Sequence, residues 1–259
     1  MTNRRIPEAD ASRHDDEIRQ NKQFWAEKPV LQCVYREFYG LIRERMQVGN
    51  ALHSVVDIGS GIGAIKNFIP NAVTTDLFAN PGIDQVQNIY ALTLPDRSVD
   101  NVVMFDVWHH LEKPAAALKE CKRVLAPGGR LIIMDPAISV VGSIVYGCFH
   151  HEPLLFSHKF NESPEVDDKT GTQYFAAQYA AHKIFLKREQ PAVLAGWKVL
   201  SVDQVTSFAY LLSGGFRGPQ IYPDKWLCYV QRLDSLLGKW PAMFAARLLI
   251  ILTPEVSYE

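Results

Sequence analysis

The stretch that decides the fold is Val55-Val56-Asp57-Ile58-Gly59-Ser60-Gly61-Ile62-Gly63, in which an apolar run ends in three glycines. Branched apolar residues followed by glycines predict a buried strand, a tight loop and then a helix. Glycines let the loop backbone approach a ligand closely, and the first amides of the next helix face a polar ligand group. This stretch therefore indicates a nucleotide-type binding loop.

The residues on both sides of this loop alternate between strand-like and helix-like segments. The apolar patterning predicts strands at Ser54–Ile58, Ala72–Leu77, Asn101–Asp106, Arg130–Met134, Trp197–Val205 and Arg247–Leu252. Helices are predicted twice between Asp15 and Met46, with a break at Pro29, and at Ala64–Phe68 and Pro114–Val124, with turns at Pro81-Gly82 and Pro127-Gly128-Gly129. Strands and helices in alternation predict an α/β fold, a parallel sheet with helices on both faces.

The whole chain, residues 1–259, is interpreted as one domain without a flexible linker. Residues 1–50 would form an N-terminal helical cap, and residues 51–136 the ligand-binding core. The alternation stops at residues 137–195, where aromatic residues and histidines predict a lid-like insertion after the fifth strand. Residues 196–259 would supply the C-terminal strands and helix.

Composition limits the classes of partner and compartment. The net charge of −1 gives no overall field to attract a nucleic acid, so no nucleic-acid partner is expected. The polar start, Met1 to Gln20, does not resemble a signal peptide, and no apolar run is long enough for stable membrane insertion. The apolar segment Trp240–Leu252 is interpreted as a final buried strand. We therefore expect a cytoplasmic protein, in which the four cysteines are buried free thiols.

Asp57 and the spacing of the glycines distinguish this loop from a dinucleotide site. Asp57 stands just before the glycines, where it would repel a pyrophosphate but could accept hydrogen bonds from a cationic amino-acid group. The spacing of Gly59, Gly61 and Gly63 also departs from the dinucleotide pattern. Asp76 ends the second predicted strand, where an acid can bind both ribose hydroxyls of an adenosine.

Four motifs in order resemble those of the class I S-adenosylmethionine-dependent methyltransferases, especially the bacterial small-molecule branch. They are Asp57-Ile58-Gly59-Ser60-Gly61-Ile62-Gly63, Leu94-Pro95-Asp96-Arg97-Ser98-Val99-Asp100, Asp106-Val107-Trp108-His109-His110-Leu111 and Arg123-Val124-Leu125-Ala126-Pro127-Gly128-Gly129-Arg130-Leu131. The resemblance covers about a third of the chain. It implies a Rossmann-like, seven-stranded, mostly parallel sheet that binds S-adenosyl-L-methionine and releases S-adenosyl-L-homocysteine.

The resemblance also implies roles for individual cofactor-binding residues. The loop residues Gly59, Ser60 and Gly61, with Asp57, would hold the methionine part, and Asp76 the ribose. Leu77 would cover one face of the adenine, and Phe105 and Asp106 would lie near the methionine amino group. Asn88 and Ile89 would edge the adenine; many relatives carry an aspartate where Asn88 stands, and an asparagine oxygen can accept the same hydrogen bond.

The expected reaction is methylation of an oxygen or carbon of a small-molecule acceptor, such as a secondary metabolite or a lipid-linked or glycan-linked compound. The pair His150 and His151 in the insertion, and less strongly His110, are the candidate bases. No metal is expected, because adjacent histidines seldom converge on one ion. Aromatic residues would wall the acceptor pocket: Tyr35, Phe38, Tyr39, Tyr146, Phe149, Phe156, Tyr174, Phe175 and Tyr179.

Other functions remain open on the sequence. The same fold could use the cofactor for a reaction other than methylation, or bind it without catalysis as a regulator. A nicotinamide oxidoreductase remains open on the glycine loop alone. The glycine-rich cluster Leu212–Pro219 is interpreted as a tight connection rather than a ligand site, and a homodimer is left open.

Overall fold

The computed structural model describes residues 8–148, 152–167, 170–171 and 174–255. Within these residues the strands are β1 (His53–Ile58), β2 (Val73–Asp76), β3 (Gln85–Val86), β4 (Val99–Phe105), β5 (Leu125–Pro136), β6 (Trp197–Thr206) and β7 (Ala245–Pro254). They form a seven-stranded sheet in the order β3-β2-β1-β4-β5-β7-β6. Only β7 is antiparallel to its neighbours, so the predicted seven-stranded, mostly parallel α/β sheet is confirmed.

The helices cover both faces of this sheet. Their bounds are α1 (Glu8–Glu27), α2 (Pro29–Glu44), α3 (Pro114–Val124), α4 (Val140–Cys148), α5 (Phe208–Leu212), α6 (Leu227–Leu237) and α7 (Pro241–Phe244). The predicted break at Pro29 is confirmed, because proline lacks an amide hydrogen and is tolerated at the first position of α2. The segment predicted as a helix after the glycine loop is a short 3₁₀ turn, Ala64–Asn67.

The strand β4 contributes side chains to the hydrophobic clusters on both faces of the sheet. It is buried along its whole length, and successive side chains point to opposite faces of the sheet. Val102 and Met104 enter the cluster under α3, whereas Val103 and Phe105 enter the cluster under α2. A strand that is buried on both faces is a continuous apolar run in the sequence. For this reason the apolar pattern predicted β4 to within two residues at each end.

The structure corrects the sequence interpretation at the short and irregular elements. The strand β3 has two residues and no apolar run, so patterning missed it. The predicted turn Pro127-Gly128-Gly129 lies inside the range of β5, where the pairing with β4 is irregular. Trp240 is not part of the final strand: it precedes α7, and its side chain is 53% exposed.

The four cysteines are free, as predicted, but only Cys121 is fully buried, and Cys33 is half-buried. Cys148 at the end of α4 and Cys228 in α6 are exposed, because they lie on the solvent side of surface helices. Within the described part of the chain, no helix is both long and apolar enough to span a bilayer.

Gly63 is fixed by its backbone conformation and by a close neighbour. Its φ is +72°, and an added methyl group would collide with the carbonyl oxygen of Gly82. We expect Gly63→Ala to lower the free energy of unfolding by about 2 kcal/mol or more, from left-handed strain and the clash together. Urea denaturation of the cofactor-free protein measures this loss.

The matched control is Gly61→Ala. Gly61 has a φ of +54°, but an added methyl group there would meet open space. Its substitution should therefore lower the free energy of unfolding by only about 1 kcal/mol, the strain of an alanine in the left-handed backbone conformation. Equal losses in the two variants would contradict the assigned contact with Gly82.

Candidate active site

The carboxyl ends of β1, β2 and β4 meet at one edge of the sheet and open into a cavity of about 420 Å³. Ligands of open α/β sheets bind at this edge. All ten residues predicted to bind the cofactor line this cavity: Asp57, Gly59, Ser60, Gly61, Asp76, Leu77, Asn88, Ile89, Phe105 and Asp106. The histidine His110, predicted as a candidate base, lines it as well.

Hydrogen bonds hold the glycine loop against the ends of β1 and β2. The Ser60 amide donates to the carbonyl of Thr75 at 2.8 Å, and the Ser60 hydroxyl donates to the carbonyl of Asp57 at 3.0 Å. The Gly61 amide donates to Oδ2 of Asp76 at 2.9 Å. These bonds tie the loop to the backbone of both strand ends and to the carboxylate of Asp76.

Asp57 carries a buried polar atom that fits a cationic ligand group. Its side chain is almost fully buried, and no described residue hydrogen-bonds its Oδ1. Burial, together with the negative charge of Asp76, raises the pKa of Asp57 to about 7. A buried carboxylate oxygen without a donor is costly, and an ammonium group would satisfy it.

Asp76 is held in place at the end of β2. It accepts hydrogen bonds from the amides of Gly61 and Leu77, the latter at 2.7 Å. His14 of α1 approaches it as well, with Nε2 3.4 Å from Oδ1, and its ring packs on Phe78 at 4.8 Å. No local pattern points to His14, because the contact joins segments that are about 60 residues apart.

Asn88 lines the cavity, but its side chain is already engaged. Its Oδ1 accepts a hydrogen bond from the amide of Tyr90 at 3.0 Å. An amide oxygen has two lone pairs, so one acceptor position is left for an adenine amino group. Ile89 lies beside it with a buried side chain.

A second polar cluster lines the same cavity, around His109. Its Nδ1 is 2.8 Å from Oδ1 of Asp135, and its Nε2 is 3.5 Å from Oε2 of Glu152. Burial alone would lower the pKa of His109, but the two carboxylates outweigh it and raise this pKa to about 10. His109 is therefore a buried imidazolium between two carboxylates, a positioning role that the sequence did not assign.

His110 has the opposite charge state. Burial and the neighbouring positive charge of His109 lower its pKa to about 4, so its imidazole is neutral near pH 7. Its Nδ1 hydrogen donates to the carbonyl of Phe175 at 2.9 Å, which leaves the lone pair on Nε2 facing the cavity. This Nε2 lies 3.8 Å from Oε1 of Glu152.

Glu152 connects the insertion to this cluster. Tyr174 and Gln178, both from the segment after α4, donate hydrogen bonds to its two oxygens. Although burial alone would raise it, the hydrogen bond and charge of His109 hold the pKa of Glu152 well below its usual range. The insertion thus supplies the carboxylate that organises both histidines.

Arg247 is a buried cation that the sequence interpretation missed. Its guanidinium forms two hydrogen bonds with the carboxylate of Asp106, and it lies 4.3 Å from the ring centre of Tyr210. Its side chain is 1% exposed. A charged residue inside the otherwise apolar strand β7 was the signal that could have found it.

Aromatic side chains form much of the cavity wall between its two polar ends. The predicted Tyr35, Tyr39, Tyr146, Tyr174 and Phe175 line the cavity, together with Phe105, Tyr210 and Phe216. Phe38, Phe156 and Tyr179 do not line it. Phe38 is instead buried between α2 and the sheet, because the helical period turns it to that face.

The glycine-rich turn after α5 contributes to this wall. The buried ammonium of Lys28 donates hydrogen bonds to the carbonyls of Ser213, Gly215 and Gly218, at 3.1, 2.7 and 2.5 Å. This anchor presents Phe216 and Arg217 to the cavity. The segment is a tight connection, as predicted, but it also supplies wall residues.

His150 and His151 lie outside the described residues, so their role as candidate bases stays a prediction. The absence of a metal stays a prediction too. Among described residues, His109, His110 and Glu152 bring potential ligand atoms within 4.8 Å of one another. The hydrogen bonds to Glu152 and the positive charge of His109 already balance that carboxylate.

The fold and the cavity define an α/β protein of the class that binds an adenosine cofactor at the strand ends. Residues 56–133 match the family model described as a methyltransferase domain. A probable S-adenosylmethionine-dependent methyltransferase of Mycolicibacterium smegmatis is 49% identical over 49 residues, which are 19% of this chain and 19% of the relative. A similar protein of Mycobacterium tuberculosis is 44% identical over 57 residues, 22% of this chain and 21% of that one. The matches thus span about a fifth of these relatives.

Solved structures share the fold over nearly the whole chain. A chain in the complex of the Haloferax volcanii Trm112 methyltransferase activator with a methyltransferase has a TM-score of 0.53 at 15% identity, covering 96% of this chain and 99% of that one. A Thermotoga maritima S-adenosylmethionine-dependent methyltransferase has a TM-score of 0.50 at 18% identity, covering 86% and 90%. Residues 56–133 thus resemble a methyltransferase domain, and the chain as a whole shares the fold of S-adenosylmethionine-dependent methyltransferases.

Proposed function

We propose that this protein transfers the methyl group of S-adenosyl-L-methionine to an oxygen or carbon of a small-molecule acceptor. One observation carries the proposal: a single cavity joins the two carboxylates of the glycine-loop end, Asp57 and Asp76, to a histidine and glutamate cluster. The first end fits a cofactor that carries an ammonium group and a ribose. The second end offers a neutral imidazole where an acceptor can lose a proton.

The chain's own residues divide the binding work along the cavity. Asp57 accepts hydrogen bonds from the amino group of the cofactor, and Asp76 accepts them from the ribose hydroxyls. Leu77 covers the adenine, with Asn88 and Ile89 at its edge. Phe105 and the Asp106–Arg247 pair close the methionine end, and the aromatic wall excludes water from the space beyond it.

The cofactor supplies an activated methyl group on a sulfonium. His110 takes the proton of the acceptor on its Nε2, since its Nδ1 hydrogen is committed to the carbonyl of Phe175. The carbon–sulfur bond breaks as the bond from the acceptor to the methyl carbon forms, so the proton is the one group that the protein must receive. Glu152, 3.8 Å from Nε2, favours the imidazolium that results and so offsets part of the lowering of the His110 pKa by burial and by His109.

Methyl-labelled cofactor tests the proposal directly. The purified protein is incubated with fractionated small-molecule extract and S-adenosylmethionine carrying a deuterated methyl group, and products are followed by mass spectrometry. We expect the label in an organic acceptor together with stoichiometric S-adenosylhomocysteine. Tight cofactor binding without transfer in any fraction would instead indicate a non-catalytic binding protein. A product without label would indicate another use of the cofactor.

His110→Ala is expected to lower the rate of methyl transfer about 10²–10⁴-fold, the usual contribution of a general base. Cofactor affinity, measured by calorimetry, should stay within about twofold because the proposed contacts to the amino group and the ribose are made by Asp57 and Asp76 and not by His110. His53→Ala at the start of β1 is the matched control, a partly buried histidine outside the cavity that should leave both values unchanged. Unchanged turnover in His110→Ala would remove His110 as the base.

A further inference from the structure

A stripe of large apolar side chains runs along the outer face of α6 and the residues around it. Within the described part of the chain, α6 has no buried residue. The exposed residues follow helical spacing of three and four: Trp226, Tyr229, Leu233, Leu236 and Trp240. Two tryptophans and a tyrosine, each more than half exposed, are unusual on a surface that faces only water.

The inner face of the same helix accounts for its attachment to the domain. Leu227 and Val230 pack against the cluster under α2. Asp234 also points inward, and its carboxylate accepts hydrogen bonds from the amides of Phe208 and Ala209 at 2.5 and 3.1 Å. The outer stripe is therefore not needed to hold α6 in place.

Two further helices, α4 and α7, also carry exposed apolar side chains. Met243 of α7 is exposed, and α7 packs against α4, whose Val140 and Ile144 are exposed as well. The opposite side of α4 carries Tyr146 into the cavity wall. The outer surfaces of α4, α6 and α7, which we call the apolar platform, thus adjoin the element that walls the cavity.

Basic side chains flank the stripe in a regular row. Lys225, Arg232 and Lys239 are exposed and seven residues apart, nearly two helical turns, so they lie on one side of the stripe. Each immediately precedes a large apolar residue of the stripe. The one carboxylate of α6 is that of Asp234, which is engaged inward.

We propose that the apolar platform docks this protein onto an anionic phospholipid surface. Exposed tryptophan, tyrosine and leucine beside lysine and arginine is the composition of helices that lie in the interfacial plane of a membrane. The row of positive charges complements anionic headgroups. A second copy would bring the same three basic side chains against this row, with Asp224 as the exposed acid of residues 224–240, so the balance of charge disfavours self-association.

Vesicle flotation with the full chain tests the proposal. The probes are vesicles of phosphatidylcholine alone and of phosphatidylcholine with about a third phosphatidylglycerol. We expect the protein to float with the anionic vesicles and to bind phosphatidylcholine at least tenfold more weakly. Changing Lys225, Arg232 and Lys239 together to glutamine should weaken anionic binding about a hundredfold, at about fivefold for each charge.

The apolar side of the surface is tested by Trp226→Ser with Trp240→Ser. This double variant should bind anionic vesicles at least tenfold more weakly, yet keep its melting temperature and its affinity for S-adenosylhomocysteine, because both side chains are exposed. Val48→Ser with Leu52→Ser is the matched control, since these exposed residues lie before β1, away from the platform. It should bind vesicles as the unaltered protein does.

Two results would overturn the proposal. One is equal flotation, or none, with both kinds of vesicle. The other is a dimer in light scattering that the tryptophan double variant converts to a monomer, which would assign the platform to a second copy of the chain. Neither readout depends on methyl transfer, so they are independent of the proposed activity.

Discussion

Asp57→Asn is expected to lower the affinity for S-adenosylhomocysteine about a hundredfold or more at pH 8. The carboxylate is buried, and its Oδ1 has no donor among the described residues, so the amino group of the cofactor is its natural partner. Removing one member of a buried charge pair costs about 3–5 kcal/mol, and an asparagine oxygen recovers part of this. Isothermal calorimetry measures the loss.

The same substitution should stabilise the cofactor-free protein above pH 7. Burial raises the pKa of Asp57 from 3.8 to about 7, so the unfolded chain releases this proton at a lower pH than the folded one. Folding stability contributed by this group therefore falls as the pH rises from about 4 to 7. Asparagine avoids that loss, and we expect a melting temperature about 3 °C or more higher at pH 8.

The gain should shrink towards pH 4, where Asp57 is protonated in the folded state. Asp203→Asn is the control, an exposed carboxylate in β6 that should change neither cofactor affinity nor the pH profile of melting. Cofactor affinity equal to that of the unaltered protein in Asp57→Asn would show that this carboxylate does not hold the amino group.

Arg247→Met is expected to lower the free energy of unfolding by about 3 kcal/mol. The guanidinium is 1% exposed and bonds both oxygens of Asp106, so its removal leaves a carboxylate without its cation. In a chain of this size the loss corresponds to a decrease of about 6–12 °C in melting temperature. Urea denaturation and thermal melting both measure it.

A double variant separates the charge from the packing. Asp106→Asn combined with Arg247→Met should recover part of the loss, because no unpaired charge remains. Arg19→Met is the matched control, since Arg19 forms an exposed pair with Asp16 and should cost less than about 0.5 kcal/mol. A double variant less stable than Arg247→Met alone would mean that packing, not charge, dominates at this site.

A comparison of Asp57 with Arg247 shows which site residues a sequence pattern can predict. Asp57 follows an apolar run and precedes glycines, so its place at a strand end could be predicted from a few neighbouring residues. Arg247 stands in the same kind of apolar run, but its partner Asp106 is 141 residues away. Only the antiparallel pairing of β5 with β7 brings it to the cavity.

The histidines show a similar division. His110 was a candidate from sequence, but its neutral state depends on His109, Asp135 and Glu152, which come from three separate segments. Likewise, the apolar pattern assigns Trp240 to the final strand, because both buried strands and exposed apolar surfaces are rich in apolar residues. Burial, not composition, separates the two.

The sequence by itself determined the α/β class, the glycine loop with Asp57 and Asp76, and the resemblance to methyltransferases, because these depend on local patterns of apolar residues, glycines and acids. The tertiary structure alone decided which distant charged and titratable side chains complete the cavity: His14, Glu152 and Arg247. It also decided that the stripe on α6 faces outward. The physical reason is that charge state and exposure are set by neighbours in space, and long-range packing places those neighbours.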